Sequence, residues 1–204
     1  MTIDEIMHAA PVIPVLILEQ EMDWAALAQT FVEAGLPVLE VTLRTPVALD
    51  AIRAMGQVPG AIVGAGTVLN PVQLGEAVDA GSRFIVSPGL TDTMAKSVSQ
   101  AGLAYLPGVA TAGEIMRGLE LGLDRFKFFP AVASGGIPAL KALSAPFGNV
   151  RFCPTGGIRP DTAAEWLALP SVLCLGGTWF VKPGENDLAE VRERAQAISS
   201  IVAP

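Results

Sequence analysis

The sequence has very few of the residues from which metal sites, disulfide frameworks and histidine-based catalytic centres are built. Its 204 residues include one histidine, His8, and two cysteines, Cys153 and Cys174. A zinc site made of clustered His and Cys and a catalytic triad with a histidine base are therefore disfavoured. Both cysteines lie in apolar, strand-like runs, which indicates reduced core residues of a cytosolic protein.

Charged residues are also scarce. They make up 16% of the chain, against about 25% in an ordinary soluble domain. The 13 basic residues are scattered among 20 acidic ones and give a net charge of -7, so there is no basic stripe and a nucleic-acid partner is not expected. The hydrophobic share of 51% predicts a large core and apolar surface of the kind that oligomers bury.

No apolar run is long enough to cross a bilayer. The longest, residues 9–18, is interrupted by Pro11 and Pro14 and falls short of the roughly 20 residues that a membrane-spanning helix needs. The first residues, MTIDE, lack the basic start of a signal peptide. We therefore expect no membrane segment and a cytoplasmic location.

What the chain does have is a repeated pattern of short runs rich in Val, Ile, Leu and Phe. These runs begin 20 to 25 residues apart, near Ile13, Val38, Ile62, Phe84, Ala104, Arg125, Val150 and Val172. Helix-like stretches lie between them, with start signals at Asn70, Thr91, Thr111 and Arg159. Glycines fall where these helices should end, at Gly35, Gly81, Gly102 and Gly122. Thr2 and Glu5 have the capping-box spacing of a short helix over about residues 3–9.

Eight strand–helix units favour one α/β architecture. Strands that alternate with helices pair in parallel through right-handed crossovers, and eight such units close into a (β/α)8 TIM barrel. An open doubly wound sheet would carry a Gly-rich nucleotide loop after its first strand, and none follows Ile17. We therefore predict a single-domain (β/α)8 TIM barrel over residues 1–204 with a short N-terminal helix, and an active site at the carboxyl ends of its strands.

One lysine differs from the others in its surroundings. Lys127 lies between phenylalanines in RFKFFP, residues 125–130, at the end of a predicted buried strand. Burial disfavours the ammonium form, and a neutral lysine is a nucleophile that forms a Schiff base with a carbonyl. The alternative is a lysine whose amine reaches solvent past apolar neighbours. Lys96 and Lys141 fall in predicted helices, and Lys182, in a loop after the eighth strand, is the one rival for the imine.

The second predicted strand carries polar residues at alternate positions. In LEVTLRT, residues 39–45, Glu40, Thr42 and Arg44 share one face. In an isolated strand that face would be the solvated one, but helices cover the outside of a closed parallel barrel, so Glu40 and Arg44 should point inside. The same parity turns Lys127 inward. A lysine for the imine, a carboxylate to move protons and an arginine for a substrate carboxylate make a set for cleaving a 2-keto acid.

The last two predicted strands each end in a pair of glycines, Gly156-Gly157 and Gly176-Gly177. Such pairs are often only tight turns. Here they follow the seventh and eighth strands, where TIM barrels bind phosphate through backbone N–H groups and a helix N-terminus. We therefore predict a phosphate site at these four glycines, with Thr178 as an additional hydroxyl donor.

Six segments together resemble the class I 2-keto-3-deoxy-6-phosphogluconate (KDPG) aldolases, a family also active on 4-hydroxy-2-oxoglutarate (KHG). They are LEVTLRT at 39–45, GAGTVL at 64–69, SPG at 87–89, FKFFP at 126–130, RFCPTGGI at 151–158 and GGTW at 176–179. The resemblance implies that Lys127 forms the Schiff base and that Glu40 is the general acid/base. It also implies substrate binding by Arg44, Thr67, Pro88, Phe129 and Thr155, and phosphate binding by Gly156, Gly157, Gly176, Gly177 and Thr178.

The activity that this resemblance implies is cleavage of 2-dehydro-3-deoxy-6-phosphogluconate to pyruvate and D-glyceraldehyde 3-phosphate, a step of the Entner–Doudoroff pathway. The implied protein is a homotrimer without metal or cofactor, since an iminium ion replaces the Lewis acid of a metal-dependent aldolase. Thr178 stands where related sequences carry serine and keeps the hydroxyl, while Arg44 favours the gluconate over the galactonate substrate. Two alternatives remain: a TIM-barrel isomerase or epimerase of a phosphorylated sugar, and a non-catalytic phosphometabolite-binding protein.

Overall fold

The computed structural model describes residues 1–20 and 22–201; Glu21 and residues 202–204, which belong to the predicted 1–204 domain, lie outside the described residues. The strands are β1 (Val12–Leu16), β2 (Val38–Thr42), β3 (Ile62–Gly66), β4 (Phe84–Ser87), β5 (Ala104–Val109), β6 (Arg125–Phe128), β7 (Arg151–Pro154) and β8 (Leu175–Gly177). The helices are α1 (Ile3–His8), α2 (Trp24–Glu33), α3 (Ala48–Met55), α4 (Pro71–Asp79), α5 (Asp92–Gln100), α6 (Ala112–Glu120), α7 (Gly136–Ser144), α8 (Ala163–Leu167) and α9 (Leu188–Ile201), with a 3-10 helix at Pro160–Thr162.

The strands form one parallel barrel in chain order. Each strand from β1 to β7 pairs in parallel with the next, and β8 pairs with β1. Two parallel bridges, Phe152 with Val172 and Thr155 with Gly176, join β7 to the β8 segment and close the ring. The predicted (β/α)8 TIM barrel is therefore confirmed.

The strands begin within one residue of their predicted starts, apart from β8. The predicted start at Val172 is wrong, because regular pairing with β1 begins only at Leu175. Val172 bridges Phe152, whereas Gly176 bridges Thr155, so the β8 side has one more residue between the two bridges than the β7 side. An extra residue of this kind interrupts a ladder, which delays the start of the regular strand.

The helices begin and end where the sequence signals them. Thr2 and Glu5 form a complete capping box on α1, and Thr111 forms another with Glu114 on α6. Helices α4 and α5 are capped by the side chains of Asn70 and Thr91. The predicted terminating glycines all have positive φ: Gly35, Gly81, Gly102 and Gly122. None of the described helices combines the length and the apolar character that crossing a membrane requires.

The barrel wall separates two apolar regions. On β2, Leu39 and Val41 face outward and pack in the large core under the helices. A smaller cluster fills the inside of the barrel and contains Ile6, Met7, Ile13, Val38, Phe84, Val86, Leu106, Cys153 and Cys174. Both cysteines are free and buried, as predicted. Because Ile6 and Met7 of α1 are fully buried in this cluster, α1 closes the amino-terminal end of the barrel.

A partly buried arginine fixes α1 to the barrel. Arg125, at the start of β6, donates from Nε to Asp4 Oδ1 at 2.6 Å, and its side chain is 18% exposed. It also donates to the main-chain carbonyls of Asp124 and Asn149. The hydrogen bond from Arg125 lowers the pKa of Asp4 below its ordinary value of 3.8.

Asp4→Asn should lower the free energy of unfolding by up to about 1 kcal/mol near neutral pH, since solvent partly screens this half-exposed carboxylate. Because the pKa of Asp4 is lowered in the folded state, the pair stabilises fully above the ordinary value of 3.8 and is lost as the pH falls below it. Urea denaturation at a series of pH values checks this, and the difference between the two proteins should shrink as the pH falls below 3.8 through the lowered pKa of Asp4. A stability difference between wild type and Asp4→Asn that does not change with pH would contradict the role of the Asp4–Arg125 pair. Asp50→Asn, which removes an exposed pair with Arg53, is the control for the loss of a surface carboxylate.

Candidate active site

Lys127 points into the barrel from β6. Its neighbours Phe126 and Phe128 face outward and are fully buried in the core under the helices. Lys127 is 5% exposed, so its amine does not extend into bulk solvent and the snorkelling alternative is wrong. The remaining lysines are exposed at the surface: Lys96, Lys141 and Lys182. Lys182 is therefore no longer a rival for a buried imine.

The carboxylate of Glu40 meets Lys127 inside the barrel. Lys127 Nζ donates to Glu40 Oε1 at 2.8 Å and to Oε2 at 3.1 Å, and the two side chains are 7% and 4% exposed. Burial disfavours both charges, whereas the close opposite charge and the hydrogen bonds favour them. The amine therefore has a proton acceptor in direct contact, inside the barrel where strand parity predicted both side chains.

Glycines on β3 make room for this carboxylate. Gly66 is the strand partner of Thr42 in the β2–β3 ladder. A Cβ at Gly66 would overlap the Glu40 carboxylate, and a Cβ at Gly64 would overlap the ring of Phe84. The backbone of β3 therefore forms one wall of the space that holds Glu40. Sequence reasoning missed these two glycines as site residues, although their alternation along a predicted strand was a usable signal.

Phe129 lies between the lysine and the first glycine pair. Its ring centroid is 5.5 Å from Lys127 Nζ, within the range of a cation–π contact. A Cβ at Gly156 would lie 3.4 Å from the same ring. The ring therefore borders both the amine and the predicted phosphate site.

Arg44 and Thr67 meet at the carboxyl ends of β2 and β3. Arg44 Nε donates to Thr67 Oγ1 at 3.3 Å; the arginine is exposed and the threonine half-buried. Thr67 has a positive φ of 58°, which is uncommon for a threonine and costs backbone strain. Arginine can hold a carboxylate through two parallel hydrogen bonds, and the exposed Arg44 lies at the end of the barrel where its strand finishes.

The two glycine pairs converge at the ends of β7 and β8. Thr155 bridges Gly176 across the strands, and a Cβ at Gly176 would overlap the buried Thr155 side chain. Gly156 and Gly157 have positive φ values of 101° and 79°, which glycine adopts without strain. The residues of the predicted phosphate site are therefore neighbours in space, and the shape of the backbone requires glycine there.

Thr178 lies directly after the second glycine pair at the edge of an open cavity. The cavity has a volume of about 220 Å³ and is lined by Ile17, Glu19, Thr178, Val181 and Pro183. Thr178 is exposed, so its hydroxyl is available to a small group bound at the ends of β7 and β8.

Pro88 lies next to the strand partner of Lys127. Its carbonyl occupies the position that a Cβ on Gly108 would take, and Gly108 pairs with Lys127 in the β5–β6 ladder. Pro88 itself is half-buried in the turn after β4. Each of the predicted site residues therefore lies within a barrel strand or shortly after its carboxyl end.

The chain is similar in sequence to proteins of known activity. A family model described as KDPG and KHG aldolase matches residues 3–194. The 2-dehydro-3-deoxy-phosphogluconate aldolase of Zymomonas mobilis is 54% identical over 97% of this chain and 95% of its own. The KHG/KDPG aldolase of Escherichia coli is 50% identical over 87% of this chain and 84% of its own.

Solved structures are similar over the same extent. The Z. mobilis 2-keto-3-deoxy-6-phosphogluconate aldolase with 3-phosphoglycerate has a TM-score of 0.94, with 54% identity over 97% of this chain and 95% of that chain. The KDPG aldolase of Legionella pneumophila, with pyruvate captured at low pH as a covalent carbinolamine intermediate, has a TM-score of 0.85. It is 43% identical over 96% of this chain and 94% of that chain. The similarity therefore concerns the whole barrel and not a single motif.

Gly66→Ala should displace the Glu40 carboxylate from Lys127, because the new methyl group would overlap it. We expect a loss of about 1–3 kcal/mol in the free energy of unfolding and a fall of about 100-fold in any activity that depends on the pair. Gly75→Ala is the matched control, since a Cβ there meets nothing within 4 Å on α4 and alanine favours a helix. Urea denaturation and turnover measurements are made on both variants. Wild-type stability and wild-type turnover in Gly66→Ala would contradict the placement of Glu40.

Proposed function

Because the chain belongs to the KDPG and KHG aldolase family, we propose that the buried Lys127–Glu40 pair is its catalytic centre. The protein is a class I aldolase, a lyase that forms a Schiff base with its substrate. It cleaves 2-dehydro-3-deoxy-6-phosphogluconate to pyruvate and D-glyceraldehyde 3-phosphate. The observation that carries the residue assignment is the 2.8 Å contact between Lys127 Nζ and Glu40 Oε1 inside the barrel.

Lys127 attacks the C2 ketone of the substrate. The amine must first lose a proton, and Glu40 is the acceptor already in contact with it. The new C–N bond forms as the proton of the attacking nitrogen passes to the ketone oxygen, which gives a carbinolamine. Glu40 then returns its proton to the departing hydroxyl, so that loss of water gives a protonated imine and a Glu40 carboxylate. The low exposure of both side chains keeps bulk water away from the imine.

The protonated imine draws electrons from the C3–C4 bond of the substrate. Glu40, as a carboxylate, takes the proton of the C4 hydroxyl, directly or through a water, and the bond breaks to release the aldehyde. The electron pair remains on the other fragment as an enamine bound to Lys127. Protonation of this enamine at C3 and addition of water then release pyruvate and restore the amine.

The two charged ends of the substrate match two separate parts of the rim. We propose that Arg44 and Thr67, which are hydrogen-bonded to each other at the ends of β2 and β3, bind the carboxylate at C1. The glycine pairs that follow β7 and β8, together with Thr178, bind the phosphate at C6 through backbone N–H groups and a hydroxyl. The remaining lining groups proposed to hold the substrate between these ends are Pro88, Phe129 and Thr155.

The substrate range extends to shorter 2-keto acids in this proposal. The E. coli relative is a KHG/KDPG aldolase, and 4-hydroxy-2-oxoglutarate carries the same C2 ketone and C4 hydroxyl that the Lys127–Glu40 pair requires. Arg44 favours the gluconate over the galactonate substrate. Cleavage assays with the three substrates test this order, and equal rates on both epimers would contradict it.

We further propose that the protein is a cytoplasmic homotrimer. Large apolar side chains that are 43 to 73% exposed support a buried interface: Leu69, Val72, Met116, Leu119 and Val132. Such a surface is more apolar than a monomer usually leaves in water. Sedimentation equilibrium should therefore give the mass of three chains, and the mass of one chain would contradict the proposal.

Reduction with borohydride in the presence of pyruvate should trap a covalent adduct on Lys127, because the imine becomes a stable secondary amine. Lys127→Ala should abolish trapping, whereas Lys182→Ala, which removes an exposed lysine, should retain it. Mass spectrometry of the digested protein locates the adduct, and an adduct on another residue would end the assignment. An isomerase, an epimerase or a binding protein without an imine would be insensitive to borohydride.

Glu40→Gln should retain substrate binding and lose about 10²–10⁴-fold in kcat, because the amide cannot accept the proton of the C4 hydroxyl. A coupled assay for pyruvate release measures the rate. Glu33→Gln, which removes an exposed carboxylate paired with Arg192, serves as the control and should keep wild-type turnover. Wild-type kcat in Glu40→Gln would exclude Glu40 as the acid/base.

A further inference from the structure

A hydrogen-bonded pair on the outer side of the barrel wall has no part in the mechanism above. Tyr105 of β5 and Ser87 at the end of β4 are 5% and 3% exposed, and their hydroxyl oxygens lie 2.6 Å apart. Ser87 Oγ donates to the carbonyl of Gly89 at 2.6 Å, so Tyr105 is the donor in the bond between the two hydroxyls. Burial raises the pKa of Tyr105, which keeps its hydroxyl protonated as a donor.

These two bonds hold the turn that follows β4. The inner side of this turn lies against β5, the strand that pairs with the strand of Lys127. On β5, Leu106 belongs to the cluster inside the barrel, so Gly108, two residues further on, faces the same way. The Pro88 carbonyl fills the position where a Cβ of Gly108 would be. Since Gly108 is in register with Lys127, the Pro88–Gly89 peptide reaches the interior beside the lysine.

Open space lies on the outer side of this turn. A cavity of about 250 Å³ borders it, with Pro88, Gly89, Leu90 and Met94 among its lining residues. On the side of the cavity, the hydrogen bonds from Tyr105 to Ser87 and from Ser87 to the Gly89 carbonyl restrain the turn.

We propose that Tyr105 and Ser87 are positioning residues for the keto-acid end of the substrate. They hold the Pro88–Gly89 peptide against Gly108, where it forms a wall of the space in which a 2-keto acid meets Lys127. Neither side chain touches the reacting atoms; both act through the peptide. The inference rests on the proposed function of Lys127, and small shifts of such a wall change how well a ketone is oriented for attack.

The location of this wall determines which end of the substrate it affects. Gly108 pairs with Lys127, whereas the proposed phosphate site lies at the ends of β7 and β8. Loosening the wall should therefore weaken the binding of pyruvate itself, which has no phosphate. Thr178→Val, in contrast, should raise the KM of the phosphorylated substrate and leave the half-saturating concentration of pyruvate unchanged.

The test uses the full-length protein and pyruvate as the probe. The pyruvate concentration that half-saturates borohydride trapping on Lys127 is measured for Tyr105→Phe, Ser87→Ala and the double variant. Tyr105→Phe, which removes one buried hydrogen bond, should raise it by up to about tenfold. Ser87→Ala, which removes both bonds of the chain, should raise it at least as much, with the maximum extent of trapping unchanged. The double variant should match Ser87→Ala, because Tyr105 acts only through Ser87.

A buried hydroxyl elsewhere separates positioning from general stability. Thr30 is 2% exposed and donates to the carbonyl of Ala26 within α2. Thr30→Val should therefore lower the free energy of unfolding without changing the half-saturating pyruvate concentration. If Tyr105→Phe also lowered the free energy of unfolding and left the half-saturating pyruvate concentration unchanged, the role of Tyr105 would be structural only.

A substitution on β5 should displace the same Pro88–Gly89 peptide from its inner side. The Cβ of Gly108→Ala would overlap the Pro88 carbonyl, whereas the Cβ of Gly113→Ala on α6 meets nothing within 4 Å. Gly108→Ala should raise the half-saturating pyruvate concentration and Gly113→Ala should not. Values within about twofold of wild type for Tyr105→Phe, Ser87→Ala and Gly108→Ala, with trapping intact, would overturn this inference alone. Absence of trapping in the wild-type protein would overturn the proposed function and this inference with it.

Discussion

The buried ion pair between Lys127 and Glu40 is the interaction on which the rest of the structure depends. Moving an ammonium group and a carboxylate out of water is unfavourable unless each finds its partners inside the protein. The barrel brings the two groups together from β6 and β2, which lie on opposite sides of the ring. It also omits the side chain at Gly66, so that the carboxylate has space. Loss of either partner would leave the other buried group without its partner, which ties the stability of the fold to the proposed chemistry.

Much of this arrangement could be predicted, because the responsible signals are local. Each strand from β1 to β7 is a short buried run, so hydrophobic periodicity located its start within one residue. Side chains alternate across any strand, and this parity alone placed Glu40 and Lys127 inside the barrel. The start of β8 could not be found in this way, since it depends on one extra residue between the bridges at Val172 and Gly176, which apolar composition does not reveal.

The sequence could not predict contact distances between residues that are far apart in the chain. Lys127 and Glu40 are separated by 87 positions, and Arg125 and Asp4 by 121. Strand parity predicted that Lys127 and Glu40 share the interior, but it could not give the 2.8 Å contact that brings a proton acceptor directly to the amine. The space-making role of Gly66 was also missed, because the alternation of glycines along β3 indicates room for a side chain without showing that Glu40 fills it.

Helix α1 gives the interior of the barrel a closed floor, through the buried side chains of Ile6 and Met7. Packed side chains therefore seal the amino-terminal end of the barrel, and the carboxyl ends of the strands remain as the approach to Lys127 and Glu40. Asp4 of the same helix holds Arg125 at the start of β6, the strand that carries Lys127. A change that detaches α1 would therefore both uncover the apolar interior and release the first residue of the lysine's strand.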